Sequence, residues 1–447
     1  MTNLESLPGV TGFAYDRGAE LDRIACEVIP GGVNSATRRV DAPYAFTSGT
    51  GAYITDRDDN TYVDYHAAFG AILLGHRAPE VEAAVQASVS RIDLAGIGVT
   101  EAEVELATLV TESIPSVDQM VCLQSGSEAV VLAIRLARAV TGRPLVVKFQ
   151  GGFHGWSDGV ARNVISPADK AFGRDPLSAG ILDSALDATL IAEFNDLGSV
   201  QALFEAHPDR IAAVILEPIP HNVGALVPTQ EFVEGLRHLT SEQDALLIFD
   251  EVITGFRHAL GGYQEVCGVM PDLTTLAKAM GNGYPVAGMG GRRDLMQRLD
   301  SAGGDVLLAG TFNGNAVSCA AAIATITYLR DNPAFYQRTH ALGERMRAGL
   351  RDIVADLEIA ATVAGFGGVF ATYFLEGPVS GYRDLLRNNT EAYVGFHRRM
   401  TERGFLMLPM ALKRNHVSGA HTSEDIDRTL EAAADVLREL RDEGIAR

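Results

Sequence analysis

Apolar and polar positions change their period several times along the chain, and each change marks an element. Residues 16–28 carry apolar side chains at helical spacing, and Pro30-Gly31-Gly32 stops the run. The stretch "GAYITDRDDNTYVDY" then alternates strictly around an Asp/Asn turn, as a β-hairpin does. Beyond Pro79, helical patterns over 79–90 and 101–114 give way to short apolar runs. These runs are "QMVCL", "PLVVKF", "IAAVILEPI", "ALLIFDEV" and "LTTLA". Short β-branched runs separated by amphipathic helices predict an α/β architecture, with a mostly parallel sheet covered by helices on both faces. A long Ala-rich helix is expected over 316–330. After it, helix, strand ("GGVFATYF") and a closing amphipathic helix from about Ser423 predict a smaller α+β lobe.

The expected division is an N-terminal segment, 1–65, a large lobe over 66–325, and a C-terminal small lobe over 326–447. No low-complexity linker separates them, so the lobes are expected to pack across a shared cleft, a common place for a ligand.

Composition narrows the partners. At 47% hydrophobic and 21% charged residues, the 447-residue chain has the balance of a soluble globular protein. A formal net charge of −20 argues against nucleic acid or an anionic membrane as the main partner. It leaves room for a small anionic ligand held by local arginines. No run approaches ~20 uninterrupted apolar residues, so no membrane span is expected. The N-terminus, "MTNLESLPGVTGF", lacks the basic-then-apolar order of a secretory signal. Cys26, Cys122, Cys267 and Cys319 are far apart and form no C-x-x-C pair. Together these predict a reduced, cytoplasmic protein with no metal site.

Candidate chemistry starts from scarcity. The chain has four lysines: Lys148, Lys170, Lys278 and Lys413. A guanidinium stays protonated, whereas a desolvated lysine amine can lose its proton and attack a carbonyl. Lys278, in "DLTTLAKAMGNGYPVAG", stands between Ala277 and Ala279 ahead of a glycine-rich turn, with room beside it for something bulky. Asp250 ends the apolar run "ALLIFDEV", where a carboxylate is costly unless paired. It reads either as a cap or buried ion pair, or as the partner of a protonated pyridine nitrogen. Ser125-Gly126-Ser127 lies between a strand-like run and a long helix, which suits a phosphate about as well as an ordinary N-cap. "FQGGFHGWSDG" offers Phe153 as a lid over a flat ring, with His154 and Trp156 beside it as cofactor and substrate candidates or as plain packing. "GTFNGN" is a second possible anion-binding turn, with Thr311 as its hydroxyl. A phosphate cradle, an aromatic lid, an acid for a ring nitrogen and an imine-forming lysine are the needs of pyridoxal 5'-phosphate.

At these residues the chain resembles the class III (fold type I) pyridoxal-phosphate-dependent aminotransferases. Within them it is most similar to glutamate-1-semialdehyde 2,1-aminomutase and its aminotransferase relatives. The likeness runs from "PGGVNSATR" to "AHTSEDIDRTLEA" and includes "SGSEAVVLAIRLARAVTGR", "LIFDEVITGFR" and "AGTFNGN". It implies a fold type I transferase, a large mostly parallel-sheet domain with a small α+β domain from both termini. It implies Lys278 as the Schiff-base lysine, Asp250 as the pyridinium partner, and Val252 and Phe153 on the two ring faces. Ser125, Gly126 and Ser127 would hold the phosphate, with Thr311 supplied by the other subunit of a homodimer. Glu217 and Asn222 would line the cofactor site, and Arg38 would hold a substrate carboxylate. Two departures are mild: Phe153 replaces the usual tyrosine, and SGS replaces SGT. A third bears on function. Where aminomutases carry a glutamate in a "PSxFExxFxSxAH" stretch, this chain has "PMALKRNHVSGAH", with Lys413 at that position and Arg414 beside it. A cation pair there favours an anionic substrate group, or else forms a solvated basic turn. The expectation is an aminotransferase passing an amino group between a donor and an oxo acid or aldehyde. The alternative is the intramolecular aminomutase that makes 5-aminolevulinate.

Overall fold

Short, mostly buried apolar runs build the central sheet of the computed structural model, which describes residues 13–40 and 42–446. Its strands are β1 (Gln119–Leu123), β2 (Leu145–Phe149), β3 (Thr189–Ala192), β4 (Ile211–Leu216), β5 (Leu246–Glu251), β6 (Leu273–Leu276) and β7 (Ala287–Gly291). In space they run β1-β7-β6-β5-β4-β2-β3. All are parallel except β7, which is antiparallel to both of its neighbours. Successive side chains leave opposite faces and feed separate cores. Val147, Phe149, Val214, Leu216, Leu247 and Phe249 enter one, and Val146, Ala213, Ile215, Leu246 and Ile248 enter the other. Each such side chain contributes roughly 1.5–3 kcal/mol by leaving water. Double-sided burial explains why these strands read as continuous apolar runs.

β7, "AGMGG", was not expected from the pattern, and packing supplies the reason. A Cβ at Gly291 would lie 2.4 Å from the Asp272 carbonyl, and one at Gly290 would lie 2.6 Å from Val117. Bare backbone is what fits between β1 and β6 there.

The hairpin foreseen over residues 51–65 is present as Tyr53–Asp56 paired antiparallel with Thr61–Asp64. It belongs to a four-stranded sheet completed by Phe405–Leu406, so N- and C-terminal segments share one sheet. A three-stranded sheet (Thr362–Ala364, Val369–Tyr373, Asn415–His416) carries the helices Ala334–Asp356, Thr390–Glu402 and Ser423–Asp442 around a third core. The expected helices are found within a residue or so as Asp16–Val28, Pro79–Val89, Glu101–Ser113 and Ala316–Asp331. Residues 1–12, read above for a signal, lie outside the described residues. Among the described residues no helix is long and apolar enough to cross a membrane.

Candidate active site

The carboxyl ends of the parallel strands converge on a cleft of about 140 Å³, lined by Gly126, Ser127, Phe153, His154, Glu217, Asp250, Val252 and Lys278 among others. Strand register brings the pieces together. Asp250 on β5 is the direct partner of Thr275 on β6, so Lys278 follows that pair by one short turn.

At one wall the helix Gly126–Thr141 begins. Ser125 is its N-cap and forms a reciprocal capping box with Glu128. The Glu128 carboxylate accepts from Ser125 N–H at 2.7 Å and from its hydroxyl at 2.9 Å. Ser125 thus caps the helix, while Gly126 and Ser127 line the cleft at its positive end. Two glycines keep this wall open. A Cβ on Gly126 would lie 2.8 Å from Val252, and one on Gly155, at φ +95°, would lie 2.5 Å from Ser127 Oγ.

Asp250 is 3% exposed and fully engaged. His154 Nδ1 lies 2.7 Å from its Oδ2, while Thr275 Oγ1 and Val252 N–H donate to its Oδ1, each at 3.1 Å. His154 is itself buried, with Nε2 unpaired. Glu217, also buried, accepts the Phe153 N–H at 2.8 Å. Burial raises the Glu217 carboxyl above its usual range, aided by Asp250 and opposed chiefly by His154.

Lys278 sits in a turn with φ +45°, a left-handed conformation that costs a non-glycine residue about 1–2 kcal/mol. The turn is braced by Asn282, whose side-chain oxygen accepts from Leu73 N–H at 2.8 Å and Leu74 N–H at 2.9 Å. Burial brings the Lys278 amine down to about 8, with the Arg414 charge acting the same way and Glu217 and Asp250 opposing.

The remaining candidates are dispersed. Val252 lies in the cleft wall and Phe153, 39% exposed, at its mouth. Asn222 is buried in the loop after β4, outside the cleft lining. Thr311 is exposed, and Trp156 is 80% exposed. Arg38 lines a neighbouring pocket of about 400 Å³ with Tyr44, Phe46, His66 and Phe69. Lys413 and Arg414 are 4% and 2% exposed, so they do not form a solvated turn. Lys413 Nζ lies 5.7 Å from the centre of the Phe69 ring, and Arg414 Nη2 donates to the Phe69 carbonyl at 2.8 Å. Among the described residues no cluster of metal-ligating side chains exists.

Sequence reasoning missed Thr275 and the buried Arg257, which donates to the Gly70 carbonyl. The strand register would have pointed to Thr275. Nothing local marks Arg257.

The description "Aminotransferase class-III" matches residues 35–431. The chain belongs to the class III aminotransferase family. As a family member it is 40% identical over 432 residues to glutamate-1-semialdehyde 2,1-aminomutase of Alkaliphilus oremlandii (strain OhILAs), covering 95% of this chain and 99% of that one. A solved omega-transaminase from Sphaerobacter thermophilus superposes with TM-score 0.89 at 32% identity, covering 98% of this chain and 100% of that one. The PLP internal aldimine form of Sphingopyxis sp. MTA144 FumI protein superposes with TM-score 0.83 at 29% identity, over 96% and 98% of the two chains. The fold is that of the fold type I transferases, and the cofactor of this class III enzyme is pyridoxal 5'-phosphate.

Proposed function

We propose that Lys278 is the amine that carries the cofactor, and that Asp250 faces its ring nitrogen. Three features of the cleft support this fit. Gly126 and Gly155 leave a cradle that a Cβ would fill. Asp250 is a buried carboxylate held rigid by three donors. Lys278 is a buried amine brought to about 8, so roughly a tenth is neutral at pH 7, far more than for an ordinary lysine. When bound, the cofactor supplies an electron sink that makes the Cα–H of an attached amino substrate acidic.

The chain's own side chains then have distinct tasks. The Gly126 and Ser127 N–H groups, the Ser127 hydroxyl and the positive helix end bind phosphate. Phe153 and Val252 bracket a flat ring. Asp250 keeps a proton on its partner nitrogen because its charge is fixed and desolvated. Lys278 Nζ takes and returns the Cα proton, a task suited to an amine titrating near the working pH. Glu217 lines the cleft, while Asn222 is buried in the loop after β4, outside that lining. Thr311 comes from a second copy, so the working unit is a homodimer. The exposure of Leu307 and Phe312, which flank Thr311, supports that pairing.

The reaction is amino-group transfer on a substrate bearing a carboxylate. One observation carries the donor-to-acceptor form of it. Lys413, Arg414 and Arg257 are all buried, and among the described residues none makes an ion pair with a carboxylate. Buried cations that make no ion pair favour an anionic partner, although Glu217 acts on Lys413 and Arg414. Arg38, lining the next cavity, offers a further cation for a carboxylate. The second reading is the aminomutase, and here similarity weighs more heavily. Curated relatives at 40% identity over 94–95% of the chain carry that name. Incubating the purified holoenzyme with glutamate-1-semialdehyde alone separates the two. Catalytic turnover to 5-aminolevulinate without any donor establishes the mutase and overturns the transaminase reading. A requirement for an amino donor and an oxo acceptor does the reverse.

A further inference from the structure

Behind the cleft, four imidazoles form a row where the large sheet meets the small one, with His221, His258 and His416 buried and His340 half-buried. His221 and His258 lie in loops after β4 and β5, His340 in the helix Ala334–Asp356, and His416 in the strand Asn415–His416. The His221 ring stacks on His258 at 5.7 Å and 17°, and on His416 at 6.4 Å and 12°. His258 continues the row to His340 at 6.4 Å. Phe366 packs edge-on against His258 at 5.2 Å and His340 at 5.8 Å. Gly367 closes the gap with bare backbone, because a Cβ there would sit 2.8 Å from His340 Nε2 and 2.9 Å from His258 Nδ1.

Five nitrogens of the row have no hydrogen-bond partner: His221 Nε2, both of His258, His340 Nε2 and His416 Nδ1. His221 Nδ1 donates to the Ile219 carbonyl at 2.7 Å, which leaves Nε2 as a bare lone pair in the neutral ring. The charged groups around the row are mostly cations. Arg257 and Arg414 act on His221 and His416, Arg257 and Arg347 on His258, and Arg347 on His340. His66 is a further imidazole acting on His416. Carboxylates are few or occupied. Within the row Glu217 meets no ring, only the His221 backbone N–H at 3.3 Å, and Glu344 is taken by Arg347 at 2.9 Å. Glu251 accepts from the Tyr263 backbone, and Glu265 acts on Tyr336. Burial, reinforced by the arginines, lowers all four rings below their ordinary 6.5.

We propose that His221, His258, His340 and His416 form an acid-sensitive clasp between the two lobes, closed while the rings are neutral and opened by proton uptake. The sign follows from linkage. Rings that titrate lower when folded than when exposed contribute full stability above about pH 6.5 and lose it as pH falls below. Opening exposes each ring, which then gains a proton and its hydration, so acid draws the equilibrium open.

Hydrogen exchange of the holoenzyme between about pH 7.5 and 5, corrected for intrinsic rates, tests this. Segments 365–370 and 414–418 should lose protection cooperatively below about pH 6, while the helix Gly126–Thr141 keeps it. The double variant His258→Phe/His340→Gln removes two titrating rings. It should keep those segments protected to about one pH unit lower, with about two fewer protons taken up on opening. Wild-type protection that persists to pH 5, or identical acid profiles for both proteins, overturns the clasp. If the double variant does not fold, His340→Gln alone, at a half-buried site, must shift the midpoint in the same direction. No shift overturns the proposal equally.

Discussion

Replacing Lys278 by methionine should make the cofactor-free protein more stable, although it removes the residue on which the proposed chemistry depends. The side chain keeps its unbranched shape but is one atom shorter, and it loses its charge. Burial brings the amine from its ordinary 10.5 to about 8. A drop of that size means that holding the ammonium in the folded state costs on the order of 3 kcal/mol. Below pH 8 both folded and unfolded chains are protonated, so the full cost is present. Between 8 and 10.5 the folded chain gives up its proton first, and the cost fades to about 1 kcal/mol at pH 10. Urea denaturation of cofactor-free wild type and Lys278→Met, followed by circular dichroism, measures the difference at both pH values. The expected result is a methionine variant more stable by about 3 kcal/mol at pH 7, with most of that advantage gone at pH 10. Equal stability at pH 7, or an advantage that does not shrink with pH, would refute the claim that this amine is held at an electrostatic cost.

Gly155→Ala adds a Cβ 2.5 Å from Ser127 Oγ at φ +95°, and should weaken cofactor binding at least tenfold in an absorbance titration. Ala67, Ala68 and Phe69 all hold positive φ, at 47°, 48° and 58°. Because Ala68 is exposed, Ala68→Gly should raise stability by about 1 kcal/mol in thermal unfolding. Lys413→Ala should raise KM for the carboxylate-bearing substrate about tenfold while leaving kcat nearly unchanged, the signature of lost uniform binding.

The parts of this molecule legible in its sequence are those where one physical demand dominates. β2, β4, β5 and β6 are buried on both faces, so most of their side chains are apolar and their runs stand out. Lys278 and Asp250 stood out for the opposite reason, a charge at the end of an apolar run. β7 did not, because close packing there demands glycine, which carries no strand signal. The left-handed turn after His66 was hidden as well. Its alanines favour helices, and only the surrounding contacts hold them at positive φ, with Phe69 and Gly70 carbonyls meeting Arg414 and Arg257. Lys413 and Arg414 looked like a possible solvated turn because their burial comes from chain more than three hundred residues away, at Phe69. The histidine row is likewise built from loops of one sheet and elements of another, and no local pattern announces it.

The central claim is the covalent role of one amine among four. Borohydride reduction of the purified holoenzyme fixes the cofactor to whichever amine holds it, and peptide mass spectrometry then identifies that residue. The account predicts the cofactor's mass on the peptide containing Lys278. Its appearance on Lys148, Lys170 or Lys413 instead, or on no lysine, would contradict it.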